Sequence, residues 1–143
     1  MLAMTEMNEM NAGIIEEFRA NGGRVGGMFE GAPMLLLHCT GAKSGKERIN
    51  PLMYQQVDGG YAIFASKAGA PTNPDWCYNL RANSAASVEL GEETVGVVAR
   101  EAAGAERDEI WSRQKVVWPT FAEYEQKTDR VIPVIVLEPN DQL

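Results

Sequence analysis

The sequence predicts an α+β protein whose centre is a small β-barrel, or closed antiparallel sheet, of six strands with peripheral helices. Two observations predict this class. Three apolar segments follow one another between positions 33 and 66 with only glycine-containing turns between them, which is typical of antiparallel neighbours. Three more strand-like segments follow before position 139, and helical patterns interrupt the series. At 143 residues, 45% of them hydrophobic, we expect a single domain spanning positions 1–143.

An amphipathic helix is predicted first, over Thr5–Ala20. Its apolar residues recur at spacings of three and four, and the glycine-rich segment "NGGRVGG" ends it. These apolar positions are Met7, Met10, Ile14, Ile15 and Phe18. We expect the helix to flank the core; contact with a membrane or a substrate is the alternative, although its Glu residues disfavour anionic lipid.

The strands come next, and Asp58-Gly59-Gly60 and Gly91-Glu92-Glu93 are predicted to turn two hairpins. The predicted strands are "PMLLLHCT", "INPLMYQQV", "GYAIFAS", "ASVEL", "TVGVVAREA" and "RVIPVIVLEP". Pro133, inside the last of these, must lie at an edge or a bulge because it cannot donate to a ladder.

Two longer helices are predicted between the strands. In "NPDWCYNLRAN", Asn73 is expected to be the N-cap and Pro74 the first helical residue. The second helix, "GAERDEIWSRQKVVW", begins acidic and ends basic, which matches the helix dipole.

Charge and cysteine content exclude several functions. The net charge is −7 and the pI about 4.7, so we expect no nucleic-acid partner. No signal peptide or membrane-spanning segment is predicted. Two distant cysteines and the single His38 cannot form an ordinary zinc site, and they indicate a reduced, cytoplasmic, metal-free protein. We expect His38 to be a hydrogen-bonded core residue rather than an acid catalyst.

The segment from His38 to Arg81 carries a net charge of +2 within this acidic chain. Its stretch "GAKSGK" lacks the spacing and the following helix of a phosphate loop. A glycine-punctuated hairpin remains, in which Gly41 and Gly45 would adopt positive φ and gather backbone N–H groups into an anion nest. Lys43, Ser44 and Arg48 would add side-chain donors. A solvated turn is the alternative.

A second region, "ASKAGAPTNPDW", favours the anion site. It places Ser66 and Lys67 at a strand end, before a loop and a helix N-terminus at Asp75-Trp76. The two regions together would suit a small polyanionic ligand.

Three blocks of the sequence resemble one family in order and spacing, from about Ile14 to Pro139: "LLLHCTGAKSGKERINPLMY", "ASKAGAPTNPDWCYNLRANS" and "TDRVIPVIVLEP". The family is the deazaflavin-dependent nitroreductases of actinobacteria, split β-barrel oxidoreductases that use coenzyme F420. The resemblance implies six to seven mostly antiparallel strands. It also implies hydride transfer from reduced F420 to an activated enone, quinone or nitro compound, with no nucleophile or triad.

The resemblance assigns the cofactor's phosphate and acidic tail to the basic segment, and its ring to a place between a strand and a helix. The implied cofactor-binding residues are Lys43, Ser44, Arg48, Ile49, Asn50, Phe64, Ala65, Ser66, Lys67, Asp75, Trp76, Cys77 and Asn79. The family often has a basic residue where this chain has Ala42, so that contact is missing or comes from Lys46. Cys77 is equally well read as a buried thiol, and Arg24 either reaches the tail or caps the first helix.

Trp118, Phe121 and Tyr124 are spaced by three, which places them on one face of a short predicted helix. Core packing is the general interpretation of such a stripe. By resemblance these positions wall the substrate pocket, and one of them donates a proton. Phe121 has no hydroxyl, so Tyr124 or water must donate, and we expect enones and quinones to be reduced better than nitroimidazoles.

Two rival functions stay open: an FMN- or haem-binding split-barrel protein, and a non-catalytic F420 carrier. Partners are expected to be a small electrophilic substrate and a second copy of the chain, since split barrels often pair through their sheets. The expected location is the cytoplasm, or the periphery of the membrane.

Overall fold

A closed antiparallel barrel forms the centre of the fold. The computed structural model describes the backbone of residues 4–140 and the side chains of residues 9–27 and 29–140. Within this range six strands close in the order β1-β2-β3-β6-β5-β4. The strands are β1 (Met34–Thr40), β2 (Glu47–Val57), β3 (Gly60–Phe64), β4 (Ala85–Leu90), β5 (Glu93–Glu101) and β6 (Val134–Pro139). The helices are α1 (Met4–Ala20), α2 (Asp75–Ala82), α3 (Gly104–Val117) and α4 (Thr120–Gln126), with 3₁₀ turns at Gly27–Phe29 and Lys67–Gly69.

The predicted α+β barrel is confirmed, and so are its hairpins. Val57 pairs with Gly60 across a two-residue turn, in which Gly59 has φ +83°. Leu90 pairs with Glu93 in the same way, so that Glu93 belongs to β5 and not to the turn. Two-residue hairpin turns need positive φ, which explains the glycine in each.

Both faces of β1 and of most of β6 are buried, which explains why these two strands read as continuous apolar runs. On β1, Leu35 and Leu37 face the barrel interior, whereas Met34 and Leu36 pack outside against α1. All four are at most 5% exposed. The outer face of β3 and β6 is covered in turn by α3 and α4.

Helix α1 packs on the barrel through its C-terminal half. Phe18 is fully buried, Ile14 and Ile15 are half-buried, and Met10 is 44% exposed. The predicted apolar face is therefore confirmed from Ile14 onward, while the Met7 side chain lies outside the described residues.

Other boundaries also differ from the predictions. Helix α2 begins at Asp75 with extended Pro74 as its N-cap (ψ 155°), so Asn73 is not the cap. Strand β3 ends at Phe64, before the predicted Ser66. Strand β6 begins only at Val134, so Arg130 and Pro133 precede it, and the Pro133 carbonyl accepts a hydrogen bond from the Ala65 N–H at 3.0 Å.

Trp118 is not on the same helix as Phe121 and Tyr124, contrary to the prediction. It lies between α3 and α4 with φ −127° and ψ 85°. The reason is Pro119, because the proline ring disfavours helical backbone angles in the residue before it.

Between residues 4 and 140, no helix is both long enough and apolar enough to cross a membrane. Among the side chains that the structure describes, residues 9–27 and 29–140, no cluster of three or more His, Cys, Asp or Glu could hold a metal ion.

Candidate functional site

The connection between β1 and β2 is the basic hairpin, residues 41–48. Lys43, Ser44, Lys46 and Arg48 are all exposed. The Gly41 N–H donates to the Lys46 carbonyl at 2.8 Å, and Gly45, at φ +69°, donates back to the Gly41 carbonyl at 3.0 Å. The loop is therefore closed by its own backbone.

Most backbone donors of the predicted anion nest are already used inside the protein. Gly41 does not have positive φ, and the N–H groups of Gly41, Ala42, Gly45 and Lys46 all bond within the protein. The donors that remain for a ligand are chiefly the side chains. Arg48 donates to Ser44 Oγ at 3.5 Å, whereas the two lysine ammonium groups donate to no described group.

The cations of the basic hairpin are electrostatically available. Among the described residues, no ion pair involves Lys43, Lys46 or Arg48. The carboxylate of the neighbouring acid, Glu47, lies 3.3 Å from His38 Nδ1. Three unpaired cations within six positions attract an anion through charge-assisted hydrogen bonds.

Asn79 connects the basic hairpin to α2. Its Oδ1 accepts the Ala42 N–H at 2.9 Å, and its Nδ2 lies 3.8 Å from the Cys39 sulfur. The residue is only 9% exposed. Both ends of the amide are thus used inside the protein, which indicates that Asn79 supports the hairpin.

The second candidate region is the left-handed turn, residues 66–69. Lys67 and Ala68 have φ of +46° and +54°, and Gly69 has φ +82°. For the two non-glycine residues, this conformation costs about 1 to 2 kcal/mol each. Ser66 is buried, whereas Lys67 is exposed with its Nζ 3.4 Å from Thr72 Oγ1.

Arg130 holds the left-handed turn and its flanking residues by hydrogen bonds. Its guanidinium donates to the carbonyls of Ala65 (3.0 Å), Ser66 (2.9 Å) and Ala70 (2.9 Å), and to Asn73 Oδ1 (2.6 Å). Asn73, which does not cap α2, is used here. Sequence reasoning missed this role of Arg130, because its acceptors are 57 to 65 positions away along the chain.

An aromatic cluster lies beside the left-handed turn, between β3 and the two outer helices. The Phe121 ring is 5.6 Å from Phe64, 6.2 Å from Trp111 and 5.5 Å from Tyr124. Phe64 and Phe121 are buried, as the core-packing interpretation expects, whereas Tyr124 and Trp118 are half-buried. Only the latter two therefore present part of a side chain to the surface.

Helix α4 is fixed to α3 by Glu125. Its carboxylate accepts the Trp111 indole N–H at 2.5 Å and pairs with Lys115 at 3.1 Å. The Trp111 hydrogen bond, followed by Lys115, holds the pKa of Glu125 below its usual value. Tyr124, the adjacent residue, therefore lies on an anchored helix.

The remaining predicted cofactor residues divide by burial. Asp75 is exposed, Ile49 and Asn50 are half-buried, and Ala65, Trp76 and Cys77 are buried in the barrel core. Burial raises the pKa of the Cys77 thiol and of Cys39, so both thiols are protonated at neutral pH.

Two cavities lie away from these elements. One, of about 640 Å³, is formed by the end of α1 and the following loop, and Arg24 lines it together with Glu17 and Glu30. The other, of about 330 Å³, is lined by residues that include Asp58, Glu106 and Arg113. Unpaired cations and a turn held by hydrogen bonds favour an anionic ligand more directly than cavity volume does.

Comparison with known proteins identifies one family. The model of the family described as F420H(2)-dependent quinone reductase matches residues 13–139. The F420H(2)-dependent quinone reductase Rv1261c of Mycobacterium tuberculosis H37Rv is 36% identical over 127 residues, which are 84% of this chain and 83% of that protein.

Solved structures agree. A structure described as an F420-H2 dependent reductase (FDR-A) is 45% identical with a TM-score of 0.68, and the match covers 74% of this chain and 94% of that one. A structure described as a domain-swapped dimer is 39% identical with a TM-score of 0.69, and covers 94% and 98%. The haem storage protein HutZ of Vibrio cholerae shares the fold at 16% identity and a TM-score of 0.61, with 89% and 88% covered.

Proposed function

Because the chain belongs to the F420H(2)-dependent quinone reductase family, we propose that it reduces a quinone, an activated enone or a nitro compound with reduced coenzyme F420. The observation that carries this proposal is the basic hairpin, whose three cations have no ion-pair partner among the described residues and which Asn79 ties to α2.

The residues present fit an anionic cofactor of this kind. A phosphate and a carboxylate tail need cationic donors, and Lys43, Lys46 and Arg48 supply them without first breaking an internal ion pair. Lys67 adds a fourth exposed cation on the left-handed turn. We assign the tail to these side chains and the ring to the surface between the turn, α2 and the aromatic cluster.

When bound, the reduced deazaflavin supplies a hydride to the electrophile. This chain contributes binding, orientation and exclusion of water. A quinone that accepts a hydride also takes up one proton, and the half-buried Tyr124 hydroxyl is the proposed donor, with Trp118 as a second wall of the substrate site. Buried Phe64 and Phe121 support that wall from within.

Titration with oxidised F420 tests the proposal, followed by fluorescence polarisation at several salt concentrations, with FMN as the control ligand. We expect micromolar binding that weakens with salt and falls about 100-fold in Lys43→Ala/Arg48→Ala, since two charged hydrogen-bonding groups are lost. Arg113→Ala is the matched control: it removes an exposed cation beside the cavity of about 330 Å³, away from the basic hairpin, and should bind F420 as the wild type does. Binding of FMN instead of F420 would contradict the proposal.

Tyr124→Phe tests the proton donor. We expect unchanged F420 affinity and slower turnover with a quinone, because only the hydroxyl is removed; unchanged turnover would assign the proton to water. Tight F420 binding without turnover of any quinone, enone or nitroaromatic would favour the carrier function.

We also propose a homodimer in the cytoplasm. The similarity to a chain described as a domain-swapped dimer supports the homodimer. Two buried cysteines that form no disulfide support a reducing compartment such as the cytoplasm. Light scattering and cell fractionation test the two statements separately.

A further inference from the structure

Arg130 joins the two elements that the proposed function assigns to cofactor and substrate. Its guanidinium donates four hydrogen bonds to the segment around the left-handed turn, and it follows closely after α4, which carries Tyr124. The turn and α4 are also in direct contact. A Cβ atom built on Gly69 would lie 2.7 Å from Lys127 Cβ and 2.9 Å from the Tyr124 carbonyl oxygen.

All four acceptors of Arg130 are neutral. Among the side chains of residues 9–27 and 29–140, no carboxylate lies at ion-pair distance from its guanidinium. Three acceptors are backbone carbonyls and the fourth is the Asn73 amide, so the side chain is arranged to fix backbone geometry. Lysine could not reproduce this, because it lacks the planar fork that reaches several acceptors at once.

The turn requires such support. Lys67 and Ala68 both occupy the left-handed region, which L-residues adopt rarely and keep only where the surroundings impose it. Inside the turn, two hydrogen bonds hold this shape: Gly69 N–H to the Ser66 carbonyl (2.9 Å) and Ala70 N–H to the Lys67 carbonyl (3.0 Å). Arg130 binds the other side of the same segment, including the Ser66 and Ala70 carbonyls.

We propose that Arg130 is a positioning residue for the reaction: it fixes the left-handed turn against α4, and thereby sets Lys67 and the Tyr124 helix in one arrangement. This inference rests on the proposed function for its catalytic meaning. On this inference Arg130 binds neither cofactor nor substrate, and its substitution nevertheless weakens cofactor binding.

The test compares Arg130→Lys with Arg107→Lys. Arg107 is the matched control because it too is half-buried and donates to a backbone carbonyl, that of Ile132 at 2.8 Å, but it does not contact the turn. Amide hydrogen exchange at Gly69 and Ala70 is measured without cofactor, and F420 affinity is measured at a temperature where both variants are folded.

We expect faster exchange at both amides and about tenfold or more weaker F420 binding in Arg130→Lys, with neither change in Arg107→Lys. The salt dependence of binding should stay that of the wild type, because Arg130→Lys keeps the charge and Arg130 itself does not contact the ligand. Should Arg130→Lys fail to fold, Asn73→Ala, which removes one acceptor, replaces it with the same expectations on a smaller scale.

Unchanged exchange, or weaker binding of the same size in Arg107→Lys, would overturn the inference. If the wild type itself does not bind F420, the proposed function fails. The exchange comparison then still decides whether Arg130 fixes the turn.

Discussion

The basic hairpin and the left-handed turn are both proposed to bind the same cofactor, yet they are built in opposite ways. The hairpin keeps its cations in solvent and closes itself by backbone hydrogen bonds. The turn presents one exposed cation, Lys67. A second cation, Arg130, donates four hydrogen bonds to the turn and the segment around it. A basic side chain is free to bind a ligand only if its N–H groups are not already bonded within the protein. Lys43 meets this condition and Arg130 does not, although both are basic.

The difference also concerns rigidity. The hairpin has one tertiary hydrogen bond from its loop, from Ala42 to Asn79. Arg130 donates three to the turn and the residues on either side of it, at the carbonyls of Ala65, Ser66 and Ala70, and the turn packs against α4. We therefore expect substitutions that alter backbone shape to cost more in the turn than in the hairpin.

The sharpest test of this contrast is one substitution in two places, Gly69→Ala and Gly45→Ala. Both glycines have positive φ, but a Cβ at Gly69 would strike Tyr124 and Lys127, whereas a Cβ at Gly45 meets nothing within 4 Å. We expect a loss of unfolding free energy of about 3 kcal/mol at Gly69 and about 1 kcal/mol at Gly45. Urea denaturation measures both; equal losses would remove the distinction between the two loops.

The hairpin could be predicted from the sequence because its signal is local: lysines and glycines within eight positions. The barrel could be predicted for a related reason, since burial on both faces makes β1 and β6 read as apolar runs. The single-domain assignment stays a prediction. Trp118 could have been placed correctly, since Pro119 follows it directly.

Arg130 could not be identified, because its role depends on where four distant acceptors meet. The internal use of the nest's backbone donors could not be predicted either, since no sequence pattern shows that the Ala42 amide donates to Asn79. The roles of the individual cofactor residues stay predictions, and three of them, Asn79, Trp76 and Cys77, are buried.

Asn79→Ala asks whether the hairpin depends on its tertiary hydrogen bond. Removing the acceptor leaves the Ala42 N–H without its partner, so we expect a loss of about 1 to 2 kcal/mol in unfolding free energy and faster exchange of the Ala42 amide. Asn79→Asp retains an oxygen acceptor and is the control. If Ala42 exchange is unchanged in Asn79→Ala, the backbone alone holds the hairpin.

The smallest effect is expected at Glu89, an ion-pair centre close to the hairpin's strands. Its carboxylate binds Arg19 at 2.7 Å and His38 at 2.5 Å, and these bonds, Arg19 first, hold its pKa below the usual 4.5. A lowered folded-state pKa stabilises the fold above pH 4.5, and this stability is lost as the pH falls through the folded-state value. Arg19 is 49% exposed, so screening limits the contribution to about 1 kcal/mol.

Glu89→Gln should therefore lower the unfolding free energy by that amount at pH 7 and flatten its decline below pH 4.5, as followed by urea denaturation from pH 7 to pH 3. Arg19→Gln, which removes the same pair from the other side, should behave alike, and the double variant should lose little more. If Glu89→Gln lost as much unfolding free energy as Gly69→Ala, charged groups near the hairpin would stabilise the fold as strongly as the region that Arg130 holds. The contrast between the hairpin's unpaired cations and the hydrogen-bonded Arg130 would then not hold.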